Sequence, residues 1–171
     1  MRAHLQKIKL LVCDVDGVLT AGGIIIDDQG RETKRFDVKD DHGLKLLQRA
    51  GLQVALLSGR SSDIVTHRAK ELNISYTIQG AKDKRKAYAT LKQECGYQDD
   101  EIAYVGDDVV DIPILTQVGV AIAVQDAVEE VKAVAQYITA RPGGHGAIRE
   151  VVHLILKAQN HWKRLMERYY Q

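Results

Sequence analysis

The chain has 171 residues, with 24 Lys and Arg against 23 Asp and Glu, 45% hydrophobic and 27% charged residues. That length fits one domain, and a net charge of +1 supplies no field that would draw nucleic acid or an anionic membrane. Two prolines argue against disorder, and no apolar run approaches the roughly 20 residues of a membrane span.

The first 17 residues hold one short apolar stretch broken by two aspartates, unlike a secretion signal. Residues 8–15 (IKLLVCDV) form a near-continuous apolar run, the pattern of a strand buried on both faces. Residues 23–38 read as two extended arms around Asp27-Asp28-Gln29-Gly30, a hairpin that interrupts the first crossover. A helix is predicted over 40–50, closed by Gly51, and a strand over 52–57. Ser61 or Ser62 caps a helix running to Leu72, and a strand follows at 76–78. Asp83 caps a helix over 84–95 with Gly96 behind it, before a strand at 102–105. The helix expected over 108–118 contains Pro113, which only a first turn tolerates. A strand at 120–124 and helices over 127–135 and 146–159 complete the series, and 160–171 is a basic, aromatic tail, either a frayed helix or a docking segment. Strands alternating with helices imply an α/β, Rossmann-like fold: a parallel sheet with helices on both faces, here with a protruding hairpin. Two cysteines, Cys13 and Cys95, make no disulfide framework and fit a reducing cytoplasm.

In such a sheet ligands bind beyond the carboxyl ends of the strands. There the chain places Asp14 and Asp16, then Ser58-Gly59-Arg60, then Lys84, then Asp107 and Asp108 with Asp111 a turn later. Four carboxylates at adjacent strand ends repel one another, and a hard dication with oxygen ligands such as Mg²⁺ relieves that repulsion. Asp14, at a strand end, suits a nucleophile that forms an aspartyl-phosphate. Asp16, in the following loop, suits the group that protonates a leaving oxygen and later deprotonates water. Ser58, Gly59 and nearby N–H groups suit phosphoryl oxygens, and Lys84 supplies transition-state charge, with Lys82 the alternative should the loop register differ.

Asp14-Val15-Asp16-Gly17-Val18-Leu19-Thr20, Ser58-Gly59-Arg60, Lys84 and Gly106-Asp107-Asp108-Val109-Val110-Asp111 resemble the four ordered motifs of the haloacid dehalogenase-like phosphatases. The resemblance implies Asp14 as nucleophile and Mg²⁺ ligand, Asp16 as acid–base group and ligand through its backbone carbonyl, Asp107 as third ligand, and Asp108 and Asp111 as supports of the metal site. Neither gap between motifs is long enough for a cap domain. Phe36-Asp37-Val38-Lys39-Asp40 with Gly43, and the late Gly143-Gly144-His145-Gly146, are similar to the branch of 3-deoxy-D-manno-octulosonate 8-phosphate phosphatases. That branch implies a Mg²⁺-dependent homotetramer acting on a sugar phosphate in lipopolysaccharide synthesis. By the same resemblance Asp16, Asp37, Val38, Lys39, Asp40, Asp41, Lys45, Arg60, Arg68 and Lys84 contact substrate. Lys39 and His145 stand where relatives often carry Arg. The alternatives are a phosphatase for a related keto-sugar phosphate, of the 2-keto-3-deoxynononate 9-phosphate or acylneuraminate type, and a non-catalytic phospho-receiver. The apolar Ile24-Ile25-Ile26 suggests hairpins that pair between subunits and close neighbouring sites, and the resemblance implies that the glycine-rich segment and the C-terminal tail also reach toward an adjoining site.

Overall fold

The computed structural model describes residues 1–171. Six parallel strands form one sheet: β1 (Leu10–Cys13), β4 (Gln53–Leu57), β5 (Tyr76–Ile78), β6 (Ile102–Gly106), β7 (Val120–Ala123) and β8 (Tyr137–Ile138), in the order β5-β4-β1-β6-β7-β8. The separate hairpin holds β2 (Ile25–Ile26) and β3 (Glu32–Thr33), antiparallel. The apolar runs predicted as strands are apolar because both faces are covered: every residue of β1, β6 and β7 is buried. β8 escapes the sequence pattern because it is two residues long and lies at an edge.

Helices α1 (Arg2–Leu5), α2 (Val38–Arg49) and α7 (Ala147–Ala158) pack together, while α4 (Lys84–Cys95), α5 (Ile112–Leu115) and α6 (Glu129–Val134) form another group. α7 buries Ala147, Ile148, Val151, Val152, Ile155 and Leu156, the spacing of one helical stripe. α3 (Asp63–Glu71) has Ser62 at its N-cap, but no side-chain bond forms there. α4 has the predicted bounds, because Asp83 accepts from the Lys86 N–H and Gly96 takes the left-handed conformation at φ +72°.

Two predicted helices are corrected. α2 begins at Val38 rather than residue 40, because the Asp37 side chain accepts the Lys39 N–H and caps it earlier. The helix expected over 108–118 is a 3₁₀ turn (Val109–Asp111) followed by α5, since Pro113 supplies no N–H and marks a new first turn. The tail forms α8 (Trp162–Glu167), which docks on α7 through buried Leu165 and through Trp162, whose ring lies 4.1 Å from that of His153 at a tilt of 56°. Between β1 and β4 lie only the hairpin and α2, and between α4 and β6 only a 3₁₀ turn, so no cap domain covers the sheet.

Candidate active site

β1 and β6 run side by side, with Cys13 opposite Val105, so their carboxyl ends deliver Asp14 and Asp107 to one place. A cavity of about 350 Å³ opens there, lined by Asp14, Asp16, Gly22, Ile24, Ser58, Gly59, Arg60, Lys84, Asp107, Asp108 and Val110. It gathers residues from four sequence-distant loops at the point where the strand order reverses.

Asp14 is buried. Its Oδ1 accepts the Val15 N–H at 2.7 Å, and its Oδ2 lies 2.8 Å from Lys84 Nζ. Lys84 is the first residue of α4, so its side chain rises from a helix start toward the strand ends. Its ammonium also meets Asp111 Oδ1 at 2.6 Å and the Tyr104 hydroxyl at 3.4 Å. Asp111 is fully committed: Oδ1 accepts from Lys84 and from the Tyr104 hydroxyl at 2.6 Å, and Oδ2 accepts the Asp107 N–H at 3.0 Å.

Asp107 differs from them. Its Oδ1 is buried and has no hydrogen-bond partner. A buried carboxylate oxygen without a donor is costly unless something else satisfies it. Burial, then the charges of Asp14 and Asp111, raise the Asp107 carboxyl to about 7. Burial raises Asp14 to about 6, against the pull of Lys84. Burial works against the Lys84 ammonium, but Asp14 and Asp111 outweigh it and hold its pKa above the ordinary value. Oxygens of Asp14, Asp107 and Asp111 lie within 4.8 Å of one another. Three carboxylates against one lysine, with one oxygen left without a donor, fit a hard dication.

The loop that carries these groups is held from behind. Gly17 has φ +89°, and a Cβ there would overlap the Asp107 carboxylate. Gly144 N–H donates to Val18 O at 2.8 Å, and a Cβ on Gly143 would overlap the Gly17 carbonyl. The glycine-rich segment therefore braces the catalytic turn, with Gly143 tied to Asp126 Oδ1 at 2.8 Å.

Of the expected site residues, Asp14, Asp16, Ser58, Gly59, Arg60, Lys84, Asp107 and Asp108 share this cavity. Ser58 directly follows β4, and its Oγ accepts the Arg60 N–H at 3.2 Å. Asp108 caps the following turn through the Val109 N–H. The cluster of side-chain oxygens holds Asp14, Asp107 and Asp111; Asp16, expected to reach the metal through its backbone carbonyl, adds no carboxylate to it. The Asp16 carboxylate turns instead to Lys34.

Seven expected substrate contacts do not line the cavity within one chain: Asp37, Val38, Lys39, Asp40, Asp41, Lys45 and Arg68. Asp37 is spent capping α2. Asp40 is fully buried and accepts the Gly146 N–H at 3.1 Å and the Arg149 N–H at 2.7 Å, so it caps α7. Asp41 is paired with Arg68, whose guanidinium also lies over Phe36 and meets Glu71 at 2.6 Å. Lys45 lies farther along α2 and borders a different hollow, with Gln48 and Asn73. Val38 and Lys39 point outward beside His42 and Arg149.

Three residues at the site were not expected: Lys34, Glu32 and Tyr104. Glu32 and Lys34 share a face of an extended arm, a two-residue alternation visible in Glu32-Thr33-Lys34. Tyr104 stands in an otherwise aliphatic strand, where its hydroxyl needs a buried partner and finds Asp111.

Residues 78–150 match the family model of haloacid dehalogenase-like hydrolases. A 3-deoxy-D-manno-octulosonate 8-phosphate phosphatase of Yersinia pestis is 42% identical over 154 residues, which are 90% of this chain and 82% of that one. Among solved structures, the 3-deoxy-D-manno-octulosonate 8-phosphate phosphatase of Moraxella catarrhalis, in complex with a magnesium ion, a phosphate ion and KDO, is 43% identical. It superposes with a TM-score of 0.96 over 98% of this chain and 97% of its own. A cobalt-bound deoxy-D-mannose-octulosonate 8-phosphate phosphatase of Haemophilus influenzae is 40% identical, with a TM-score of 0.89 over 92% of each chain.

Proposed function

The chain belongs to the haloacid dehalogenase-like hydrolases, in the branch of the 3-deoxy-D-manno-octulosonate 8-phosphate phosphatases, and on that premise we propose how its site works. It is a Mg²⁺-dependent phosphatase that releases phosphate from 3-deoxy-D-manno-octulosonate 8-phosphate, a step of lipopolysaccharide synthesis. One observation carries the reading: buried carboxylates at neighbouring strand ends outnumber the single lysine among them, and one of their oxygens has no donor.

Asp14 and Asp107 would hold the metal through their carboxylates and Asp16 through its backbone carbonyl. Bound there, Mg²⁺ offsets the negative charge of phosphoryl group and carboxylates, so that an anionic nucleophile can approach an anionic ester. Asp14 attacks phosphorus in line and forms an aspartyl-phosphate. Asp16 gives a proton to the bridging oxygen as the bond from phosphorus breaks, and the sugar departs as an alcohol. Asp16 then takes a proton from water, which attacks phosphorus and frees Asp14. Lys84 and Ser58 hold the phosphoryl oxygens, and Asp111 with Tyr104 holds Lys84.

We further infer a homotetramer. The cavity is open, the three isoleucines 24–26 are more than half exposed, and the α2 start with Val38 and Lys39 faces away from its own site. Hairpins and α2 ends supplied by neighbouring subunits would close each cavity and bring the missing substrate contacts. The free thiols Cys13 and Cys95 fit a cytoplasmic enzyme, and no helix is long and apolar enough to cross a membrane.

The test is phosphate release from the eight-carbon and the nine-carbon keto-sugar phosphates, with and without Mg²⁺. A kcat/KM at least about tenfold higher for the eight-carbon substrate is expected, since specificity is that ratio. Equal values, or activity indifferent to chelation, would refute the assignment.

A further inference from the structure

We propose that Lys34 is a positioning residue for the Asp16 carboxylate, so that the base of the hairpin sets the acid–base arm of the reaction from within the same chain. The inference rests on the assignment of Asp16 as the acid–base group.

The hairpin is exposed along most of its length, yet the Lys34 side chain is only 3% exposed. It follows directly on β3 and folds back over the catalytic turn. Its ammonium meets Asp16 Oδ1 and lies 3.2 Å from Glu32 Oε1. The same Glu32 oxygen lies 2.7 Å from Arg60 Nη2, and Arg60 Nε lies 3.9 Å from Asp16 Oδ2. Asp16, Lys34, Glu32 and Arg60 thus form a closed ring of alternating sign. Two cations balance two carboxylates, unlike the neighbouring group of Asp14, Asp107 and Asp111 around Lys84.

Asp16 and Arg60 line the cavity, while Lys34 and Glu32 do not. Lys34 therefore acts on a substrate only through Asp16. Asp16 sits in a loop, where an untethered carboxylate samples several rotamers. The Lys34 contact fixes Oδ1, while Oδ2, which Arg60 Nε approaches only to 3.9 Å, stays open to the bridging oxygen or the attacking water. An oriented acid–base group is worth much to the rate, because a misplacement of about 1 Å costs on the order of 10²-fold. The hairpin then has two unlike arms: Ile24, Ile25 and Ile26 stand exposed on one, and Glu32 and Lys34 on the other turn inward to set a reacting group.

Lys34→Met keeps most of the stem and removes the charge; Lys34→Arg restores a cation. The sugar phosphate and p-nitrophenyl phosphate serve as paired substrates, because a nitrophenolate departs without a proton and a sugar alkoxide does not. Lys34→Met is expected to lower kcat/KM on the sugar phosphate by about 30-fold, the loss lying in kcat with KM within about threefold, and to lower kcat/KM on the nitrophenyl ester by much less; kcat/KM is compared because it stops at departure of the alcohol and leaves out the attack of water, in which Asp16 serves both esters alike. Lys34→Arg should recover most of the loss. Glu32→Gln, which opens the ring but keeps the lysine, should show the same preference between esters at about threefold loss, and it decides the matter should Lys34→Met not fold. An unchanged kcat/KM, a loss that comes from KM alone, or an equal loss of kcat/KM on both esters would overturn the role. A wild-type enzyme inert toward both esters would overturn the phosphatase reading and this inference together. An active wild type with indifferent Lys34 variants would overturn this inference alone.

Discussion

The two ends of the central sheet are both charged and both hollowed, yet they are built differently. At the amino ends of the strands a groove of about 570 Å³ runs between Lys7, Lys9, Gln98, Asp100 and Glu101, beside Gly51 and Gln159. Its charges are paired and lie in water: Lys7 with Asp100 at 3.0 Å, Lys9 with Glu101 at 2.6 Å. At the carboxyl ends the cavity is smaller, about 350 Å³, and its charges are buried and out of balance. Size points to the wrong end. What marks the working end is unmatched charge held out of solvent, a state that costs stability and persists only where it has a use. The difference follows from the parallel sheet, which sends every strand-to-helix loop, and every helix start such as that of α4, to one side.

The sharpest way to break this comparison is to remove one of the unmatched charges. Asp14→Asn keeps the shape of the side chain and deletes both the nucleophile and a negative charge. Turnover should fall by about 10³-fold or more, because an amide is a poor nucleophile. The metal-free protein should melt no lower than wild type, since Lys84 keeps Asp111 and the repulsion with Asp107 is relieved. Activity and thermal melting of the same preparation check both statements. Near wild-type phosphate release would end the mechanism, and a large loss of stability would mean that Asp14 is chiefly structural.

Much of this end of the molecule can be read from residues alone, and the reason is physical. A strand covered on both faces must be apolar throughout, so an aspartate at its end stands out, and four such ends mark out one rim. α4 was legible to the residue because Asp83 and Gly96 act locally. What escaped the reading depends on partners far along the chain. Asp40 has the look of a substrate contact until Gly146 and Arg149, more than a hundred residues away, are seen to take both of its oxygens. Arg68 has the same history with Asp41. Lys34 carries no such signal in the sequence, because the hairpin's fold onto Asp16 leaves no local trace. The hairpin arms shrank to two residues each because no further strand pairs with them.

A middle-sized effect separates the two ends by pH. In the metal-free protein the Asp107 carboxyl is raised from 3.8 to about 7 and Asp14 from 3.8 to about 6, burial being the main cause. A carboxyl with a raised folded-state pKa favours the folded state fully below its unfolded value, and that contribution is lost as pH rises through the folded value. Stability without metal should therefore decline from about pH 4 to about pH 7 on account of this pair. Mg²⁺ binds the ionised pair, so its effect should run the other way. At a concentration about 100 times its dissociation constant it adds about 2.7 kcal/mol, or roughly 5–10 °C in melting temperature, near pH 8, and clearly less near pH 5. Melts at both pH values, with and without Mg²⁺, decide it. An equal Mg²⁺ shift at both would mean that the pair is not where the metal binds.

The smallest effect belongs to the groove, and its smallness is the informative part. Lys7 and Asp100 meet at 3.0 Å, but their side chains remain 61% and 55% exposed. Water already solvates each partner, and salt screens what attraction is left, so exposed pairs of this kind contribute about 0–1 kcal/mol. Lys7→Gln should shift stability by less than about 0.5 kcal/mol, and by less still as salt is added. Turnover of the sugar phosphate should stay within about a factor of 1.5, because a surface change far from the chemistry leaves the barrier alone. Denaturant melts at two salt concentrations and one kinetic assay suffice. Should Lys7→Gln depress turnover as the carboxyl-end substitutions do, the larger hollow would have a claim on function, and unmatched buried charge would lose its value as the marker of the working end.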